Sequence, residues 1–255
     1  VNPEACAKAI SDLIVEQELK LKVAVVTGDN LLNKKDDFYK EQVSEMFTSE
    51  RLPDKDTIAS ANAYLGAFPI AKALDMGADI IITGRCVDSA VTLGACIHSF
   101  GWNEDDWDRL SGGSLAGHII ECGTQSTGGN FTDWELIADQ IDTMGYPIVE
   151  IFENSNFNCS KSNNSNGLVS VGTVSEQMVY EIGDPQSYIL PDVICDFSKV
   201  RINKIDENLV SVTGALGYPA TDSYKVSMTY FDGYRGGHLM SFVGIDPAKK
   251  ARAYG

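Results

Sequence analysis

The chain has 255 residues and is 44% hydrophobic, enough to bury a sizeable core as one large domain or two modest ones. Its formal net charge is −16, which sets it against nucleic acid and anionic membrane as partners. No segment approaches the roughly 18 consecutive apolar residues of a membrane span. The six cysteines are scattered, with no C-x-x-C pair and no Cys–His zinc spacing. Free thiols in a reducing compartment are expected, with no disulfide and no structural metal: the cytoplasm, or the mitochondrial matrix in a eukaryote.

In chain order, residues 3–18 predict a helix with Pro3 in its first turn and Ile10, Leu13 and Ile14 on one face. Residues 23–26 form a short β-branched run, ended by the loop composition Thr27-Gly28-Asp29-Asn30. Residues 37–47 read as a charged, exposed helix, and residues 60–77 as a helix kinked or broken at Pro69. The apolar run 80–82 predicts a central strand buried on both faces. A polar turn comes next, then a helix through Val91, Leu93 and Ile97, in which His98 reads as a packed side chain. Residues 114–122 predict a further helix stopped by a left-handed Gly123. Repeated βα alternation argues for an α/β fold, a mainly parallel open sheet flanked by helices, over residues 1–146.

Around Gly145-Tyr146-Pro147 the texture changes. Residues 147–152 look like a strand, and the asparagine-rich stretch 153–167 like a mobile loop or hairpin tip. A helix over 174–182 stops at Gly183-Asp184-Pro185. Strand patterns then dominate: 193–205, 209–213 and 224–230, the last pairing with 239–243 through a hairpin at 232–237. Residues 147–255 are therefore expected to form a β-rich C-terminal lobe, with strands that extend the first sheet as the alternative.

Chemistry concentrates in two loops. In Thr83-Gly84-Arg85-Cys86-Val87-Asp88, Gly84 lets a ligand approach the backbone and Arg85 offers a planar fork for a carboxylate or phosphate. Asp88 is either a catalytic carboxylate or the cap of the next helix, and Arg85 either an anchor or half of a salt bridge. The second loop runs from Glu121 to Phe131, with the amides of a Gly-, Ser- and Thr-rich turn as a potential anion nest. Its readings stay open. Cys122 is a nucleophile, although a helix carboxyl end disfavours the thiolate. His118, Glu121 and Cys122 form a partial inverted zinc motif that lacks a further ligand. Glu121 is a general base or acid, with Gln125 and Asn130 on a substrate carbonyl. Or the segment is simply a tightly folded polar turn. A third cluster, Tyr180, Glu181, Asp184, Tyr188 and Asp192, either lines a cleft between the halves or fixes a turn.

Dinucleotide, nucleoside-triphosphate, serine-hydrolase and zincin signatures are all absent from this chain. No cofactor is implied by motif.

Three long segments carry a family resemblance: NAYLGAFPIAKALDMGADIIITGRCVDSA from Asn62, GHIIECGTQSTGGNF from Gly117, and TVSEQMVYEIGDPQSYILPDV from Thr173. The chain resembles the acyclic terpene utilisation protein A family across nearly its whole length. Its opening Val1-Asn2-Pro3 is similar to the middle of the family's pattern, so a glycine-containing first segment is expected to be missing. Ser165-Asn166-Gly167 replaces a Gly pair usual in the family. The resemblance implies a role in degrading branched, terpenoid-like acids or their coenzyme A esters.

Together these readings predict a small-molecule enzyme of hydratase, lyase or isomerase type. Arg85 anchors an anionic group, which Gly84 lets approach the backbone, and Gln125 binds the substrate carbonyl. Glu121 and Asp88 handle protons. The amides of Gly128 and Gly129, with Asn130, stabilise developing negative charge. A homo-oligomer or a pathway-enzyme complex is the expected assembly. The rival is a non-catalytic binding or scaffold subunit supporting a carboxylase or hydratase.

Overall fold

The computed structural model of the chain describes residues 2–254. Helix α1 (Pro3–Glu16) starts where Asn2 Oδ1 accepts the Ala5 amide at 3.0 Å, with Pro3 in its first turn, and leads into strand β1 (Val23–Val26). Next come α2 (Lys35–Lys40), β2 (Ile58–Ala63), α3 (Phe68–Asp75), β3 (Ile80–Thr83), α4 (Ala90–Phe100) and α5 (Trp107–Glu121). The second half holds β4 (Pro147–Ile151), β5 (Phe157–Lys161), α6 (Val171–Val179), β6 (Tyr188–Ile189), β7 (Ile194–Asp196) and β8 (Arg201–Asp206). It closes with β9 (Leu209–Thr213), β10 (Leu216–Tyr218), β11 (Val226–Tyr230) and α7 (Pro247–Tyr254).

Helices and strands are mixed as expected, but the sheets are small and mostly antiparallel, which corrects the mainly parallel open sheet. The ladder between β1 and β3 is parallel, with Val23 opposite Ile80 and Val26 opposite Thr83. The sheets β4-β5-β9-β8, β10-β7-β6 and β11-β2 are antiparallel. The physical reason is the path of the chain beyond β3. Helices α4 and α5 pack on each other, and the chain does not return to add a strand beside β1 or β3. Strand β3 is consequently not a central strand buried on both faces. It has one partner, and all four of its residues, Ile81 included, are half-buried.

Five further expectations change. Residues 60–77 are not one broken helix: β2 comes first, and α3 begins with Pro69 in its first turn. The alanines of β2 read as helix formers, yet Ile58, Ala61 and Ala63 are the buried positions and β11 pairs alongside. The charged helix of residues 37–47 is the short α2, which ends at Lys40. Of 153–167, the residues between β4 and β5 are a hairpin tip as expected, but β5 follows within the stretch, its Phe157 and Cys159 fully buried; the asparagines around them hid the alternation. Strand β11 pairs with β2, while residues 232–243 form neither the hairpin nor the partner strand. His98, expected inside, is exposed with Nδ1 2.7 Å from Asp75 Oδ1.

One cluster of buried apolar side chains runs through both halves of the chain. It joins Leu93 and Leu115 to Phe157, Val193, Cys195 and Val212. Its axis is α5, buried at every position from Leu110 to Ile119. A helix that is covered all round carries no polar face, so its few polar side chains are interior groups. Gly117 brings α5 hard against the start of α4, because a Cβ there would meet the Ser89 backbone oxygen at 2.8 Å. That approach sets the carboxyl end of α5, with His118 and Glu121, close to the Arg85 loop. No helix among the described residues is long and apolar enough to cross a membrane.

Candidate functional site

Parallel pairing of β1 and β3 places their trailing loops side by side, Thr27 to Asn30 beside Gly84 to Asp88. Such carboxyl edges are where α/β proteins hold ligands. Asp29, almost fully buried, ties the two loops together. Its Oδ2 accepts the Arg85 amide at 2.8 Å and the Asn62 Nδ2 at 2.8 Å. Gly84 is required by this arrangement, since a Cβ there would run into the Asp29 carboxylate. The Gly84 amide meanwhile donates to Val26 O at 2.9 Å, and Val87 N donates to Leu65 O at 2.9 Å. The backbone that presents Arg85 is therefore fixed from three sides.

The Arg85 side chain reaches a cavity of about 460 Å³ that Tyr64, Asp88, Glu181, Tyr188 and Lys225 also line. Val87, Ile189, Leu190 and Pro191 supply its apolar wall. Arg85 Nη2 donates to Asp88 Oδ1 at 3.1 Å, and its guanidinium carbon lies 4.2 Å from the Tyr64 ring centroid. Its Nε is buried with no hydrogen-bond partner. Asp88 pairs with Arg85 and does not cap α4; Ser89 holds the cap position, without a side-chain bond.

Glu121 sits one layer behind this lining, at the last turn of α5. Its Oε1 lies 3.4 Å from His118 Nδ1 and accepts a hydrogen bond from Cys122 Sγ at 3.4 Å. The His118 contact, followed by Cys122 and the charge of Arg85, holds the carboxyl below the usual carboxylate range although burial opposes them. Glu121 is thus ionised near neutrality, and the same lowering makes it a weaker base than an ordinary carboxylate. Burial and the neighbouring Glu121 charge push the Cys122 thiol upward, which weakens its case as a nucleophile. His118 is buried, its Nε2 has no partner, and its ring stands 6.1 Å from that of Tyr188. Burial, aided by Cys195, Glu121, Asp88 and Glu181, drives the Tyr188 phenol up to about 12, so it remains a proton donor.

Other predicted residues lie elsewhere. Gln125 falls in a 3₁₀ turn, Gly123 to Thr127, opened by a left-handed Gly123. The Gly128 amide donates to Gln125 O at 3.1 Å and the Gly129 amide to Thr124 O at 2.8 Å, so both bonds close the turn on itself. Asn130 is exposed, and none of these four lines the cavity. From the third cluster Glu181 and Tyr188 do line it, whereas Asp192 accepts the Ala67 amide and is not part of the lining. Glu181 lines the cavity from an exposed position just past α6, with φ 58°. Sequence reasoning passed over Tyr64, Lys225 and Asp29 as site residues. The buried acid in Thr27-Gly28-Asp29-Asn30, directly after a strand, was the one legible hint.

Fold and site together define a mixed α/β protein with an acid- and cation-lined cavity at the carboxyl edge of a two-stranded parallel ladder. The chain belongs to the acyclic terpene utilisation family AtuA, whose pattern it matches over residues 1–255, and membership points to a role in acyclic terpene utilisation. It is also 30% identical over 148 residues to the DNA-directed RNA polymerase subunit beta' of Streptomyces avermitilis. That match takes in 56% of this chain and spans 11% of the polymerase subunit, so it carries no activity across. No solved structure matches the chain.

Proposed function

We propose that the cavity beside Arg85 binds a small branched organic acid, free or as its coenzyme A ester, and performs acid–base chemistry on it of hydratase, lyase or isomerase type. The observation that carries this reading is the convergence of Arg85, with an unpartnered buried Nε, and ionisable Asp88, Glu181 and Tyr188 on one concave site. Arg85 anchors the anionic oxygen. Asp88, in the lining, accepts the proton and the Tyr188 hydroxyl returns one, while Glu121, kept ionised by His118, acts from behind the lining through the charge it sets against Arg85. The Gly128–Gly129 turn has no part in this scheme, because its amides are already bonded within the chain.

A binding or scaffold subunit is the second reading, favoured by the position of Glu121 behind the lining and of Asn130 away from it. Deuterium exchange separates the two. Branched acyl coenzyme A esters and their free acids are incubated with the protein in D₂O, and NMR tracks the hydrogens next to the carbonyl. Exchange that Asp88→Asn abolishes without loss of binding is the expected result. Binding with no exchange assigns the cavity to a non-catalytic module, and no binding at all removes both readings.

A further inference from the structure

The cavity receives a second cation from a distant part of the chain. Lys225 directly precedes β11, where Val226 pairs with Ala63 and Tyr64 N donates to Lys225 O at 2.9 Å. Strand register therefore sets Lys225 opposite Tyr64. Its Nζ lies 5.3 Å from the centroid of the Tyr64 ring, the ring that also carries Arg85 at 4.2 Å.

Two like charges gathered on one aromatic ring repel, and the attraction of the ring face offsets only part of that repulsion. Asp88 offsets Arg85, but Lys225 makes no ion pair among the described residues. The charged side chains lining the cavity are Arg85 and Lys225 against Asp88 and Glu181, with Glu121 behind them. With Lys225 the lining is balanced, two cations against two carboxylates; without it the lining is net negative, inside a chain of net charge −16 that already repels anions.

We propose that Lys225 is the specificity-determining residue that makes this cavity accept a carboxylate, completing with Arg85 a two-cation subsite for which Tyr64 is the shared platform. The hydroxyls of Thr221 and Ser223, which line the same wall, suit the outer lone pairs of the bound oxygen. This proposal rests on the reading that the cavity takes an organic acid.

The test compares 3-methylbutanoate with its uncharged amide, 3-methylbutanamide, by calorimetric titration at low salt on the whole chain. The wild-type protein binds the carboxylate more tightly than the amide. Lys225→Gln weakens the carboxylate about fivefold, a gap that shrinks as salt is added, and leaves the amide unchanged. Tyr64→Leu, which removes the platform and keeps both charges, weakens the carboxylate in the same direction, with melting temperature confirming that each variant is folded. A Lys225→Gln variant that holds the carboxylate as tightly as wild type, or loses both ligands equally, overturns the Lys225 assignment alone. A wild-type protein indifferent to the charge overturns the organic-acid reading as well.

Discussion

Asp192 Oδ2 accepts the Ala67 amide at 2.8 Å, joining the segment after β6 to the amino end of α3. Leu190 and Pro191, just before it, belong to the cavity wall, and so does Tyr64, just before α3. Burial pushes this carboxyl from the usual 3.8 up to about 6, outweighing the amide bonds from Ala67 and Phe68. A raised acid favours the folded state most when protonated. Its contribution is present below about pH 3.8 and is lost as pH climbs through about 6. Asp192→Asn removes that dependence. The stability difference, variant minus wild type, should rise by on the order of 2–3 kcal/mol between pH 4 and pH 7, as measured by urea unfolding across that range. A pH-independent difference contradicts the assignment.

Gly84→Ala should damage both fold and binding. The new methyl drives out the Asp29 carboxylate, which is buried and already bonded to Arg85 N and Asn62 Nδ2. Loss of those bonds at a buried charge is expected to cost about 1–3 kcal/mol, read as a lower unfolding midpoint. The Arg85 loop moves with it, so ligand affinity falls even at temperatures where the variant is fully folded.

Glu121→Gln probes the opposite sign. The folded carboxyl titrates below its ordinary value, so its stabilising share is present at neutral pH and vanishes as pH falls through the folded value. Wild type should exceed the variant by a constant margin near pH 7, and the two unfolding curves should converge in acid. Cys122→Ser, beside it, should be mild for stability and for binding, because the thiol is held protonated and offers no thiolate to lose. A folded but inactive Cys122→Ser protein sinks that account.

Arg85→Lys distinguishes a ligand anchor from an ornamental ion pair. The Arg85–Asp88 pair is substantially open to solvent, at 37% and 52% side-chain exposure, and such pairs are worth about 0–1 kcal/mol. A forked contact to a bound carboxylate is stronger, so lysine should lose about 1–3 kcal/mol of binding while the melting temperature barely moves. Growth on acyclic terpenes in a strain that depends on this protein, with melting in parallel, reads both. Equal loss in both measurements removes the anchor role.

How far the sequence was readable depended on the range of the interactions concerned. Strand β1, the start of β3, α4 and the left-handed stop at Gly123 were all legible, because apolar runs and glycine punctuation act over a few neighbours. The Arg85 loop was placed correctly at the carboxyl end of β3 for the same reason. Pairing partners were not legible. Nothing near Ile58 announces that its strand will be chosen by β11, and nothing near Phe157 separates a core strand from an asparagine-rich turn. Lys225 escaped notice because its role comes from register against Tyr64, while the glycine pair after Thr127 looked like an anion nest and is a closed turn.

The β2–β11 ladder also gives the site a place in time. Arg85 leaves the ribosome long before Lys225, and the wall they share exists only once Val226 has paired with Ala63. At ordinary rates of synthesis the interval is on the order of ten seconds. A nascent chain during that interval displays the arginine loop with its opposite wall missing and its loop-closure entropy still unspent. On the proposed reading, acid capture is thereby tied to completion of the fold, and a chain broken between these two points retains Arg85 without the wall opposite it.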